Sequence, residues 1–303
     1  MKAAIYFNEL QPLLYGYYIC KGVIFLHRKI SAAVFTVLTA MFMCGCTSDK
    51  NTVGQSAGHN NRGGRTPAET AFLTDGKEKV CYGQGYETDS DNRPVGATQA
   101  QEKYGSYGGR FIFGKDDKTI CLTFDEGYEN GCTGKILDIL KEKKVTATFY
   151  VTLDYVKSSP ELVQRMINEG HEVGNHSCTH PSLPDISDDM VFEEIHGLET
   201  YISDNFGGYK TVTMRPPRGE FSVRTLRIAK NMGYDTVLWS FAYNDWNTDA
   251  QPDRDTAYRR ITSATHNGAV YLLHAVSETN TAILPDVIDY WLDNGYTVKS
   301  ISG

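Results

Sequence analysis

Polar and ionisable side chains recur where predicted β-strands end, in five short motifs between residues 125 and 274. They are Asp125 with Glu126, His176 with His180, Arg215, Asp245 with Trp246, and His274. Two imidazoles and a carboxylate form a donor set that suits Zn²⁺, and such an ion activates water and polarises a bound carbonyl group. These residue types therefore indicate hydrolysis of an amide or an ester.

Hydrolysis also needs a base that takes a proton from water and an acid that protonates the leaving group. Asp125 and His274 are the natural pair for these two steps, because they come from different strands. The spacing of His176 and His180 alone is weak support for a metal site, since two histidines four residues apart can also be surface residues on a turn. The neighbouring Asp-Glu pair makes metal binding the favoured interpretation.

The stretch around Asp125 predicts the elements that position this carboxylate. Apolar residues alternate with other residues over 119–124, which is the period of a β-strand. Asp125 follows at the C-terminal end of that strand, and Gly127 permits a sharp exit into a loop. Apolar residues at helical spacing over 134–143 then predict a helix. Loops after strand ends are where α/β proteins commonly place their chemistry.

The same alternation continues to the end of the chain. The predicted strands are 119–124, 147–152, 171–175, 211–215, 235–240, 269–274 and 296–301. The predicted helices between them are 134–143, 160–169, 187–205, 222–232, 254–265 and 280–293. Alternating strands and helices predict a parallel sheet, either a barrel, complete or not, or a doubly wound sheet. In either case the five motifs lie on one rim, where they can line a single cleft.

Composition limits the classes of function. The chain has 303 residues, of which 41% are hydrophobic and 22% charged, as in a soluble globular protein. Its net charge of -7 and its pI of about 5.6 argue against nucleic-acid binding. The seven cysteines include no C-x-x-C pair, and we expect no disulfide framework.

The N-terminal segment has the pattern of an export signal. A basic cluster at 27–29 precedes an apolar stretch at 30–43, and the segment ends in Met-Cys-Gly-Cys46. A small residue before a cysteine resembles the lipobox of bacterial lipoproteins, so Cys46 is the expected lipidation site. An ordinary cleaved signal peptide and an uncleaved anchor are the alternatives, and all three export the remainder. Residues 1–26 precede this signal, so we expect the true start codon to lie downstream of them.

Three segments are therefore expected. Residues 1–46 are the N-terminal extension and signal segment. Residues 47–98 are rich in Ser, Asn, Gly, Asp and Gln with little periodicity, which predicts a flexible linker. Residues 99–303 form the catalytic domain.

The motifs resemble those of the NodB-type polysaccharide deacetylases, carbohydrate esterase family four. The matching segments are Thr123-Phe-Asp-Glu-Gly127, His176-Ser-Cys-Thr-His180, Arg215-Pro-Pro-Arg-Gly219, Asp245-Trp246 and Leu272-Leu-His274. They extend over about residues 115–301. The resemblance implies a distorted (β/α)7 barrel, a divalent metal on His176 and His180, Asp125 as base and His274 as acid. It also implies that Arg215 orients Asp125 and that a backbone N–H near Arg218 stabilises the oxyanion.

Further residues look like the branch of this family that deacetylates muramic acid. They are Tyr128-Glu-Asn130, Arg218, Ala242-Tyr-Asn-Asp-Trp246 and Ala275-Val-Ser277. That branch removes acetyl groups from N-acetylmuramic acid in peptidoglycan, a step toward the δ-lactam of spore cortex. Two positions depart from the family pattern. Glu126 stands where a metal-binding Asp is usual, so whether it binds the metal is open, and Ala242 replaces an Asp that would contact Arg215.

The sequence therefore predicts an exported, membrane-tethered, metal-dependent peptidoglycan deacetylase that acts on N-acetylmuramic acid and is a monomer. The predicted site has Asp125, His274, Arg215 and Asp245 in catalysis, Arg218 and Trp246 on the substrate, and His176, His180 and Glu126 on the metal, which we expect to be Zn²⁺. Trp246 is equally compatible with a core position. The alternatives are a deacetylase of N-acetylglucosamine or chitooligosaccharides, and a wall-binding lipoprotein that has lost turnover through the changes at 126 and 242.

Overall fold

The structure is a computed structural model that describes residues 76–303. The predictions for the signal segment, for Cys46, for the start codon and for linker residues 47–75 lie outside the described residues. Among residues 76–303, no helix is both long and apolar enough to span a membrane.

A parallel sheet of eight strands forms the centre of the described region. Its strands are β2 (Gly109–Arg110), β3 (Thr119–Glu126), β4 (Thr148–Val151), β5 (Glu172–Asn175), β6 (Thr213–Met214), β8 (Asp235–Val237), β9 (Ala269–His274) and β10 (Thr297–Lys299). A separate antiparallel pair joins β1 (Val80–Cys81) to β7 (Glu220–Phe221). The seven predicted strands are all present, and all eight strands of the main sheet pair in parallel.

Strand β3 occupies the middle of the sheet, and both of its faces are buried. It pairs with β9 along one edge, and its other edge is shared by β10 and β4. The sheet continues from β4 through β5, β6 and β8. A single parallel bridge between Phe241, just after β8, and Tyr271 in β9 then links the far side of the sheet to β9. The sheet thus curls back on itself, which confirms the predicted distorted barrel and excludes the open doubly wound sheet.

Helices connect the strands and cover the outside of the sheet. They are α1 (Val95–Tyr104), α2 (Thr133–Lys143), α3 (Leu153–Ser158), α4 (Pro160–Asn168), α5 (Asp188–Asn205), α6 (Val223–Asn231), α7 (Arg254–Ser263) and α8 (Glu278–Asp293). Several of them begin at a capping side chain: Ser222 caps α6 in a capping box, Asp253 caps α7, and Ser277 caps α8. The six predicted helices are all observed, and their ends agree with the prediction to within about two residues.

The N-terminal part of the described region differs from the prediction. Residues 76–98 were expected to belong to the flexible linker, but β1 pairs with β7 and α1 already begins at Val95. Tyr82 packs edge-on against Trp239 and donates its hydroxyl hydrogen to the carbonyl of that residue at 2.7 Å. Apolar and hydrogen-bonded contacts with distant residues hold this polar segment in place, and local composition does not reveal such contacts.

Candidate active site

A cavity of about 1300 Å³ lies at the C-terminal ends of the parallel strands. Asp125 near the end of β3 and His274 at the end of β9 are paired in register, so the two side chains enter the same cavity. His176 and His180 follow β5 and also line it. Residues from three segments that are far apart in sequence therefore meet at one rim, because parallel strands end there together.

Asp125 is held by a buried arginine. Arg215 is fully buried, and its Nη1 donates to Oδ1 of Asp125 at 2.7 Å. The rest of the guanidinium donates to the carbonyl groups of Val237 and Leu238, both at 3.1 Å. Burial alone would raise the pKa of Asp125, but the charge of Arg215, the charges of His176 and His274 and the hydrogen bond from Arg215 together outweigh burial and lower this pKa. Asp125 is therefore a charged acceptor in a fixed orientation, as a general base requires.

The two histidines of the second motif are neighbours, with ring centroids 4.9 Å apart. His176 Nδ1 donates to the carbonyl of Arg215 at 2.8 Å, which leaves Nε2 unprotonated and 3.5 Å from Oδ2 of Asp125. Burial lowers the pKa of both imidazoles, that of His180 to about 4. Ser177 and His180 have left-handed backbone angles, with φ of 68° and 58°, and such strain is often found at functional sites.

These histidines have the chemistry of metal ligands. Both rings are neutral near pH 7, and the second ring nitrogen of His176 is fixed by a backbone carbonyl, as is usual for a metal-bound histidine. Within residues 76–303, no three side chains of the His, Cys, Asp and Glu types are already grouped as a metal site. The donor set of His176 and His180 beside the Asp125 carboxylate nevertheless fits a divalent cation.

Glu126 does not join them, contrary to the prediction that it binds the metal. It is fully buried and does not line the cavity, and its carboxyl group accepts hydrogen bonds from Thr133 at the start of α2. Burial first, and then the charge of Glu129, raises the pKa of Glu126 well above its ordinary value. Because successive side chains of a strand point to opposite faces, Asp125 reaches the cavity and Glu126 reaches the helix layer.

His274 is held from two sides by Asp245, which is fully buried. Nδ1 of His274 donates to Oδ1 of Asp245 at 2.7 Å. Burial alone would lower the pKa of His274, but the hydrogen bond and the charge of Asp245 raise it. Asp245 is supported in turn by Asn280, which donates to its Oδ2 at 2.6 Å, and by Tyr243, whose hydroxyl contacts Asn280. Sequence reasoning missed Asn280 because no local pattern marks it.

Exposed aromatic side chains surround the opening of the cavity. Trp246 is 56% exposed and lines the cavity, so the core position considered for it is wrong. Tyr86 and Tyr128, also exposed, line the same cavity. Arg218 lies on this rim with φ of 62°. Aromatic faces beside polar groups are suited to binding sugar rings.

Comparison with known proteins agrees with this geometry. The polysaccharide deacetylase family model matches residues 114–237. Peptidoglycan-N-acetylmuramic acid deacetylase PdaA of Bacillus subtilis is 43% identical over 66% of this chain and 75% of its own.

Two solved structures agree as well. The structure of Bacillus subtilis PdaA, a family 4 carbohydrate esterase, superposes with a TM-score of 0.71 at 39% identity, covering 75% of this chain and 96% of that one. A family 4 carbohydrate esterase from Bacillus anthracis gives a TM-score of 0.62 at 38% identity over 75% of this chain and 95% of that one. The chain belongs to the polysaccharide deacetylase family, also known as carbohydrate esterase family four.

Proposed function

We propose that this protein is a hydrolase that removes acetyl groups from N-acetylmuramic acid residues of peptidoglycan with the help of a divalent metal. The observation that carries the proposal is the convergence of the Asp125–Arg215 pair, the two histidines and the Asp245–His274 pair on one cavity. The choice of muramic acid is supported by the identity with PdaA of Bacillus subtilis, whose name states that substrate.

The side chains divide the reaction between them. A divalent metal held by His176 and His180 would polarise the acetyl carbonyl and make water more acidic. Asp125 accepts a proton from the water that attacks the acetyl carbon. His274 then gives a proton to the amide nitrogen as its bond to that carbon breaks, so the products are acetate and a free amine.

The developing negative charge on the acetyl oxygen also needs a donor. The N–H of Gly219 is already donated to the carbonyl of Pro216 at 3.2 Å. The N–H of Arg218, on the rim of the cavity, is the backbone group that we assign to the oxyanion, as the resemblance to the family implies.

The substitution at Ala242 does not argue for a binding protein without turnover. Arg215 contacts Asp125 and two backbone carbonyls, so its guanidinium is satisfied without an acidic residue at position 242. Asp125 keeps its orientation and its lowered pKa. Alanine at position 242 therefore leaves Asp125, the proposed base, both oriented and charged.

Mass spectrometry of muropeptides tests the proposal. The full chain is loaded with Zn²⁺, the metal we propose, and incubated with peptidoglycan before and after an amidase has removed the stem peptides. Loss of one acetyl group from muramic acid is the expected result. Loss from glucosamine instead would assign the alternative substrate, and sugar binding without acetate release at any metal loading would overturn the enzymatic function.

Export and membrane attachment through a lipid on Cys46 are a separate part of the proposal. The support is the apolar stretch at 30–43 before the cysteine. The test is the Cys46→Ala variant, which we expect to lack the lipid. Intact mass of the membrane-released protein would show the lipid, and a mass that includes residues 1–26 would contradict the downstream start.

A further inference from the structure

The cavity is positively charged although the chain carries a net charge of -7. Apart from histidines, its charged lining residues are Asp125, Arg218 and Arg260. The charge of Asp125 is already balanced by Arg215, which lies behind it. Among residues 76–303, no carboxylate lies within 4.0 Å of the guanidinium of Arg218 or of Arg260. The two arginines therefore leave an excess of positive charge facing the cavity.

Arg260 contacts the same group of side chains that holds the proposed acid, His274. It lies in the last turns of α7, and its guanidinium carbon is 5.4 Å from the centroid of the Tyr243 ring. Tyr243 is buried, and its hydroxyl contacts Asn280, the residue that donates to Asp245. A guanidinium that rests on an aromatic ring keeps its N–H groups available at its edges, where they can bind a carboxylate with two parallel hydrogen bonds.

A side cavity of about 210 Å³ adjoins the main one at this point. The two cavities share the walls formed by Gln84, Gly85, Tyr86, Ala242 and Arg260. Among the described residues that line the side cavity, Arg260 alone is charged. Gln84, which also lines both cavities, is held by two hydrogen bonds: it accepts one from Trp239 and donates one to the carbonyl of Ala242, both at 2.9 Å.

We propose that Arg260 binds a carboxylate of the glycan substrate and thereby makes the protein select acidic over neutral sugars. This inference rests on the proposed function, since it describes the substrate of the same cavity. Peptidoglycan offers two sources of this group: the lactyl carboxylate that muramic acid carries once its stem peptide is removed, and the carboxylates of an intact stem. Chitin-type oligomers of N-acetylglucosamine offer none.

The test compares Arg260→Met with Arg259→Met, a matched control at the adjacent, exposed position of α7 that lines neither cavity. Binding to the full chain is measured by calorimetry for three glycans: strands without stems, strands with stems, and N-acetylglucosamine oligomers. We expect Arg260→Met to weaken binding of a carboxylate-bearing glycan by about tenfold, as loss of one charge-assisted contact would. Binding of the neutral oligomers and all binding by the control should be unchanged.

The pattern across the glycans identifies the group that is bound. A loss confined to stem-free strands assigns the lactyl carboxylate, and a loss confined to stem-bearing strands assigns the stem. Arg260→Lys should retain part of the preference, because a lysine keeps the charge without the planar fork. Equal losses on acidic and neutral glycans, or equal behaviour of the two methionine variants, would overturn the inference. Binding does not need turnover, so a wild-type protein that releases no acetate would contradict the proposed function and leave this comparison intact.

Discussion

Both carboxylate oxygens of Asp245 bind His274: Oδ1 accepts from the ring Nδ1 at 2.7 Å, and Oδ2 accepts from the backbone N–H at 2.9 Å. The ring is therefore fixed with its Nε2 directed away from Asp245. Asp245 is fully buried and lies too deep to serve as a second acid in the cavity. Its effect on catalysis passes through the orientation and the pKa of His274.

Asp245→Asn should therefore lower turnover by about 100-fold or more, the usual contribution of a positioned acid. The raised pKa of His274 depends on the charge of Asp245, so the alkaline limb of the rate profile should move to lower pH. The measurement is acetate release as a function of pH. Asp249→Asn, an exposed change in the same loop, is the control, and an unshifted limb in Asp245→Asn would contradict the role of Asp245.

The order of strands and helices could be predicted because each element carries its own periodic pattern. Residues 119–124 alternate, residues 269–273 form a short apolar run, and the segments predicted as helices have helical spacing. The helix α3 (Leu153–Ser158) was missed because six residues directly after a strand are too few to show a period. The segment around Gln84 was missed because contacts with Trp239 and Ala242, more than a hundred residues away, hold it in place.

The motifs predicted which residues meet at the rim, but they did not predict the direction in which every side chain points. The predicted strand ended at 124, which left Asp125 and Glu126 together in a loop. Strand β3 extends through Glu126, so alternation separates their side chains. Asn280 could not be predicted at all, because its bond to Asp245 joins positions 35 residues apart on a loop and a helix.

Glu126→Gln should leave metal content and turnover unchanged, because Glu126 faces Thr133 and not the cavity. The pKa of Glu126 in the folded protein is raised well above the ordinary 4.5. The contribution of the protonated Glu126 to stability is therefore fully present below pH 4.5 and is lost as the pH rises above 4.5. The glutamine variant should thus be more stable than wild type at pH 7 to 8, with the difference vanishing near pH 4.

Metal analysis and denaturant unfolding measure the two effects of this substitution. Glu142→Gln, an exposed change on α2, is the control. A fall in metal affinity greater than the about 10–100-fold that outer-shell changes cause would show that Glu126 is a ligand after all.

Arg215→Met should destabilise the fold strongly, because it leaves the buried carboxylate of Asp125 without its partner. Removing one member of a buried ion pair costs about 3–5 kcal/mol in the free energy of unfolding. Arg110→Met removes an exposed pair with Asp235 and should cost less than about 1 kcal/mol. Urea unfolding of both variants at pH 7 makes the comparison, and similar losses would mean that the buried pair contributes no more than a surface pair.

The burial of His266 predicts that the free energy of unfolding falls in acid. It is buried and held by the carbonyl of Ala264 at 2.7 Å and the hydroxyl of Ser240 at 2.8 Å, and burial lowers its pKa from 6.5 to about 4. Between pH 4 and pH 6.5, His266 binds a proton more readily in the unfolded chain than in the folded protein. The stability that depends on neutral His266 is therefore fully present above pH 6.5 and falls as the pH is lowered toward 4. The loss should be on the order of 3 kcal/mol.

Comparison of wild type with His266→Gln isolates this contribution from that of Glu126, whose effect has the opposite sign. The free energy of unfolding of the glutamine variant should fall less between pH 6.5 and pH 4. The exposed His196→Gln variant is the control and should follow wild type. Parallel profiles for wild type and His266→Gln would show that this histidine is not held neutral.

Trp246→Ala tests whether the exposed aromatic side chains bind sugar. Trp246 lines the cavity next to Asp245, and its indole N–H is donated to the side chain of Asn244 at 3.1 Å, which orients the ring. Loss of one aromatic contact worth about 0.5–1.5 kcal/mol should raise KM for glycan strands by about 2–10-fold with little change in kcat, because ground state and transition state lose it equally. Phe192→Ala removes a similarly exposed aromatic ring on α5, away from the cavity, and should change neither constant. A fall in kcat with KM unchanged would mean that Trp246 acts only in the transition state, as a positioning group and not as a platform.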